Sequence, residues 1–150
     1  MHILFKHTKK NGGIEAIIKR VKIPGTVDVG VIDAGKHNES ELTVASIAYI
    51  HEFGTDTIPE RSFMRSTLKE KKKDIVELKK KLLVKIQSGE MTMDKALALL
   101  GEFTKDLIQQ KIVAISDPPN TPETIKRKGS SNPLIDTGQT KNSITYEVNK

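Results

Sequence analysis

The chain has 150 residues, 36% of them hydrophobic, with no Cys, no Trp, two Tyr and four Phe, and a formal net charge of +6 at pH 7. That length supports one ordinary domain with a single aliphatic core, and the lack of Cys excludes disulfides and thiolate metal sites, which suits a reducing cytoplasm. No run approaches the ~18 apolar residues of a membrane span, and the charged N-terminal stretch Met1 to His7 is too short for a secretory signal.

In chain order, residues 1–12 are expected to form an N-terminal arm or edge strand that orders only against a neighbour. Asn11-Gly12-Gly13 breaks the pattern, and Ile14, Ile17, Ile18 and Val21 then recur at helical spacing up to Pro24-Gly25. From Thr26 to Asp33 the valines 27, 29 and 31 alternate with other residues, which predicts a strand. Residues 34–42 are polar and predict a mobile loop. Thr43 then caps a helix carrying Ile47, Ile50 and Phe53 into Gly54.

A short loop with Pro59 follows, and Ser62 is the expected N-cap of one long helix over 62–88. Leu68, Ile75, Leu78, Leu82 and Ile86 form its apolar stripe, sparse in the first half. Ser88-Gly89 stops it, Thr92 caps the next helix, and Leu97, Leu100, Phe103, Leu107, Ile108 and Ile115 give that helix a broad apolar face. So short a turn predicts an antiparallel helical hairpin over 62–116, projecting from the body.

Asp117-Pro118-Pro119-Asn120 breaks the pattern again, and Thr121-Pro122-Glu123 opens a short helix to about Lys128. Leu134 to Gly138 reads as a small apolar anchor ending in a turn. Ser143 to Asn149 alternates through Ile144, Tyr146 and Val148 and should pair with the 26–33 strand. The expectation is a single α+β domain over 1–150: a small, mainly antiparallel sheet of N- and C-terminal strands, with a long helical hairpin inserted between them.

Little in the chain suggests catalysis. His51-Glu52 begins like a zinc-protease helix, but Thr55 stands where the second His belongs, and His2, His7, His37 and His51 lack metal-ligand spacing. Ser66-Thr67-Leu68-Lys69 matches a Ser-Lys hydrolase pattern with no companion motif, so helical coincidence is the better reading. Gly35-Lys36 lacks the rest of a phosphate-binding loop. Asn120 to Gly129 reads either as a phosphate-contacting helix start or as a short surface helix, the second being preferred. No enzyme, cofactor or metal is expected.

The positive charge is concentrated. Lys69, Lys71, Lys72, Lys73, Lys79, Lys80, Lys81 and Lys85 stand against only Glu70, Asp74 and Glu77. Such a run is usually the solvated side of a helix, and the alternative is contact with DNA phosphates or an acidic partner. No aromatic interleaves the lysines, which argues against base stacking.

Two segments carry a resemblance. Tyr49-Ile50-His51-Glu52-Phe53-Gly54 with Ile58-Pro59-Glu60-Arg61-Ser62-Phe63-Met64-Arg65 is one. The other runs from Asn120-Thr121-Pro122 through Lys128-Gly129-Ser130-Ser131 to Pro133-Leu134-Ile135-Asp136-Thr137-Gly138-Gln139, Asn142-Ser143-Ile144 and Tyr146. Together they resemble the neck and tail-completion (head-tail joining) proteins of long-tailed bacteriophages, whose usual forms are "hEFG", "PaRpFlR" and "PLiDTGqlrnSi". Glu60 stands where Ala is common, Ser62 where Pro is common and Thr140 where Leu is common; these departures touch packing more than chemistry.

The resemblance implies a structural virion protein at the head-tail junction, made in the host cytoplasm. It implies a ring of identical subunits, a hexamer by the family's tail symmetry, set between a head connector or head-closure protein and the tail tube or its terminator. Double-stranded DNA would pass through it. A tail terminator capping the last tube ring is the alternative within this class, and a basic DNA-binding module the alternative of another class. The expected interface is the 47–65 corner packed against the 133–143 loop, with Glu52, Arg61 and Arg65 as ion-pair members, Phe53, Phe63 and Leu134 as apolar contacts, and Asp136 beside them. Arg61→Glu is then expected to impair ring assembly while leaving the monomer folded. Lys71, Lys72, Lys73, Lys79, Lys80 and Lys81 are the candidate contacts to DNA or to an acidic partner.

Overall fold

The structure is a computed structural model that describes residues 13–32, 34–38 and 41–149. The expected arm over 1–12 and the last expected strand residue, Asp33, lie outside those residues. Among the described residues the order is α1 (Gly13–Val21), β1 (Thr26–Val31), α2 (Val44–Phe53), α3 (Met64–Glu70), α4 (Lys72–Ser88), α5 (Met93–Ala114), α6 (Pro122–Lys128), α7 (Gln139–Asn142) and β2 (Ile144–Asn149).

The two strands pair antiparallel, with Val27 opposite Val148, Val29 opposite Tyr146 and Val31 opposite Ile144. The chain is therefore α+β, a two-stranded ribbon from its two ends with the helices between them. A lone hairpin-sized ribbon is marginal in water and needs a helix against it, and here α5 supplies that cover. The crossing point is Gly101. A Cβ there would lie 2.6 Å from the Tyr146 ring and 2.8 Å from Val27 Cγ2, so only a glycine lets the helix come so close.

Two apolar clusters result. One gathers Ala48, Phe63, Ile108, Ile112, Leu134 and Ile144, and the other gathers Leu82, Ile86, Ala96 and Leu100 between α4 and α5. The hairpin turn follows the sequence reading. Gly89 closes α4 in the left-handed region (φ 80°), and Thr92 Oγ1 accepts from the Lys95 amide at 3.3 Å to open α5.

The expected single helix over 62–88 is corrected: it is divided at Lys71 (φ −96°, ψ 10°). The hydrogen bonds Lys71 N to Thr67 O (2.8 Å) and Ile75 N to Lys71 O (3.0 Å) persist, so the axis bends rather than stops. Each half answers to a different cluster. Phe63 and Thr67 anchor α3 beside α2 and α5, whereas Leu82 and Ile86 anchor α4 against α5. Leu68, expected on the buried stripe, is 48% exposed because the bend takes it off that line.

Two loop expectations also change. The described part of 34–42 is tied down: Lys36 bridges Thr43, and the Gln139 side chain accepts from Asn38 N (3.0 Å) and donates to Lys36 O (3.2 Å). Residues 139–142, expected as loop, form α7 after Gly138 takes a left-handed φ of 80°. The Asp117–Pro118 bond is cis. Among the described residues, no helix is long and apolar enough to cross a membrane.

Candidate functional site

The corner between α2 and α3 is built on one carboxylate. A helix start leaves amides without intrahelical acceptors, and Phe63, the N-cap position of α3, has no oxygen to offer them. Glu52, in the last turn of α2, takes that part from a distance. Its Oε2 accepts from the Phe63 amide (2.8 Å) and the Met64 amide (2.9 Å). Its Oε1 accepts from the Ser62 hydroxyl (2.8 Å), the Arg65 amide (2.9 Å) and Arg65 Nε (3.0 Å).

Glu52 is buried. Desolvation alone would raise its pKa, but the hydrogen bonds from Arg65, Met64, Ser62 and Phe63 outweigh it and hold the carboxyl below its ordinary value. The negative charge also faces the positive end of the α3 dipole. Sequence reading gave the cap to Ser62; that side chain instead spends its proton on Glu52 and accepts from the Ser66 amide at 3.3 Å.

Arg65 carries the arrangement to the surface. Its Nη2 donates to Glu52 O (2.8 Å) and to Glu60 Oε1 (2.8 Å), and its guanidinium carbon lies 4.3 Å from the centre of the Phe53 ring. Phe53 stacks in turn on Tyr49 with centroids 4.6 Å apart. Tyr49 (64% exposed) and Phe53 (47% exposed) turn this stack outward. The cation over the ring adds attraction beyond the ion pairs.

Arg61 departs from its expected role. It is buried, and the bonds it makes run to neutral acceptors: Nε to Pro118 O (2.7 Å), and Nη2 to Pro119 O (3.1 Å) and Asn120 Oδ1 (3.5 Å). No carboxylate pairs with it among the described residues, because the loop after α5 presents carbonyls there. Arg61 thus ties the corner to residues 118–120, and charge reversal there would break the fold before it tested any surface.

Of the other expected interface residues, Phe63 and Leu134 are buried in one cluster, so the 47–65 corner and the late loop do meet. Their side chains are spent in the chain's own core. Asp136 is exposed, as are Phe53 and Arg65. The lysines 71, 72, 73, 79, 80 and 81 are all exposed on α4 and the bend. Two of them pair locally, Lys81 with Glu77 (2.7 Å) and Lys71 with Asp74 (3.7 Å).

Sequence reading weighed His51 as a metal ligand, set it aside, and did not foresee its burial. His51 lines a cleft of about 380 Å³ with Ile58, Arg61, Lys128 and Leu134, and its buried Nδ1 has no hydrogen-bond partner. Burial, then the positive charges of Arg61 and Lys128, lower its pKa to about 4. Its adjacency to Glu52 was visible; the loop that seals it was not. Ser66 Oγ donates to Ser62 O (2.6 Å), a helix-start contact. Among the described residues, no group of three or more His, Asp or Glu is placed to hold a metal ion.

No protein-family model matches the chain, and no curated protein or solved structure matches it either.

Proposed function

We propose that this chain is a structural virion protein of the bacteriophage head-tail junction, a neck or tail-completion subunit that works as a ring. The observation that carries the reading is the meeting of the two resembling segments. Lying far apart in sequence, they share the Phe63–Leu134 cluster and the Arg61 bond to Asn120 Oδ1 (3.5 Å). Two such segments scattered in space would have argued against it. Here parts of both pack into one corner.

A ring needs two different surfaces related by rotation. The outward stack of Tyr49, Phe53 and Arg65 is one apolar-cationic candidate. The hairpin, where the exposed Val84 and Leu99 line one apolar recess, is another. Isolated exposed apolar residues are ordinary, but clusters on a modest domain mark contact sites. In this reading the head connector or head-closure protein lies above the ring, the tail tube or its terminator lies below, and double-stranded DNA passes through.

The test is sedimentation of the purified chain alone and with tail tubes, beside imaging of virions from a deletion strain. The reading expects rings, hexameric by the family's symmetry, or recruitment to tails, and heads left unjoined in the deletion. Normal joining without the protein would end it. A tail terminator is the nearer rival, and imaging of tail length and of the capped end separates the two.

A reading of another class, a basic DNA-binding module, draws on the exposed lysines of α4 and a sequence pI near 9.4. It requires DNA affinity that falls steeply with salt. A salt series on the isolated chain decides between the classes.

A further inference from the structure

The cleft over His51 lies between the last turns of α2, the loop leading to Arg61, α6 and the 133–140 segment. Its apolar lining includes Ile58, Pro59 and Leu134. Among the described residues, the charged and titratable groups that line it are His37 from the 34–38 loop, His51 from α2, Arg61, Arg127 and Lys128 from α6, and Asp136.

Arg61 spends Nε and Nη2 on carbonyl and amide oxygens, which neutralise none of its charge. Lys128 Nζ, among its contacts, donates to the Asn132 and Pro133 carbonyls (3.3 and 3.4 Å). His51 Nδ1 is sealed and unpartnered. A bare lone pair is less costly there than an orphaned N–H. The proton of the neutral ring therefore belongs on Nε2, as a donor on a residue that lines the cleft.

We propose that this cleft binds a carboxylate, the Asp or Glu side chain of an acidic segment on a partner protein, with Arg61 supplying the positive field and His51 a neutral donor. A half-apolar recess with its principal cation buried suits one side chain inserted from a peptide. It suits a DNA backbone poorly, because successive phosphates need exposed cations along a track. Filling the recess brings a negative charge close to His51, so binding raises its proton affinity roughly tenfold. This assignment does not use the head-tail reading and can fail separately from it.

The test is NMR titration of the His51 ring in the full chain with N-acetyl-glutamate amide, N-acetyl-glutamine amide and inorganic phosphate at matched ionic strength. The expected result is saturable perturbation by the glutamate compound, none by the glutamine compound, and a His51 pKa raised from about 4. Arg127→Gln, an exposed change, should weaken binding a few-fold, and Asp136→Asn should tighten it a few-fold; neither side chain supports the core. No saturable perturbation, or one indifferent to both substitutions, overturns the proposal. Tighter binding of phosphate than of the carboxylate overturns the assignment of the ligand.

Discussion

The Phe63 amide donates to Glu52 Oε2 at 2.8 Å, so the first turn of α3 is capped by a side chain from the last turn of the preceding helix. With the other bonds of the Glu52 carboxylate, this contact ties the last turn of α2 to the first turn of α3. Glu52→Ala strands the amides of Phe63, Met64 and Arg65 at a buried helix start. It should cost about 2–4 kcal/mol, from unsatisfied donors and a lost charged cap. Glu52→Gln should cost nearly as much, since an amide group cannot accept at both ends. Urea unfolding midpoints measure both; a cost of Glu52→Ala within the surface-substitution range of about 0.5 kcal/mol would show that the corner is not held this way.

Arg61→Glu should destabilise the isolated chain itself. The change removes the donors to Pro118 O and Pro119 O and places a carboxylate against carbonyls in a site only 6% exposed. A loss of about 3–5 kcal/mol is expected, read as a lowered thermal midpoint of the monomer. Phe53→Ser is the contrasting change. Its ring is 47% exposed, so folding should change by less than about 1 kcal/mol while any self-association that uses the stack falls.

What the sequence made legible was whatever depends on near neighbours. Alternation of valines 27, 29 and 31 marked β1, the Thr43, Thr92 and Thr121 caps marked three helix starts, and Gly89 marked the hairpin turn. The bend at Lys71 left no mark, because no Pro or Gly sits there and the cause is the separate docking of Phe63 and Leu82. The corner's residues were singled out as charged partners, yet charge alone could not say that Arg61 would face carbonyls rather than Glu52. That depends on where the loop after α5 returns, a long-range outcome. The burial of His51 stayed hidden for the same reason: its neighbours Lys128 and Leu134 are remote in sequence.

Acid should unfold the chain in two overlapping stages. His51 is lowered from 6.5 to about 4, so between those values the unfolded chain takes up a proton that the folded one refuses, and stability falls as pH drops. Glu52 is also lowered, from 4.5; its contribution is present above that value and is lost as pH falls through the lower folded value. His51→Gln should flatten the stability profile between pH 6.5 and 4 and leave the more acidic limb in place. Thermal midpoints across pH 3–7 check this, and an unchanged upper limb in His51→Gln would remove His51 as its source.

Gly101→Ala sets two effects of opposite sign against each other. In a helix interior, Ala is favoured over Gly by about 0.8–1 kcal/mol, so propensity alone predicts a more stable protein. The added Cβ, however, meets Tyr146 Cγ and Cδ2 at 2.6 Å and Val27 Cγ2 at 2.8 Å. Tyr146 Cγ and Cδ2 sit at the root of a ring, not at a yielding tip, so the ribbon has to move away from α5. Overpacking of that kind costs about 1–3 kcal/mol, and the net change should be destabilising. Tyr146→Ala in the same chain removes the ring contact, so the second substitution should recover part of the first one's cost in a double-mutant cycle. Strict additivity would mean that the helix and the ribbon do not meet at this point, and the fold's closest approach would have to be sought elsewhere along α5.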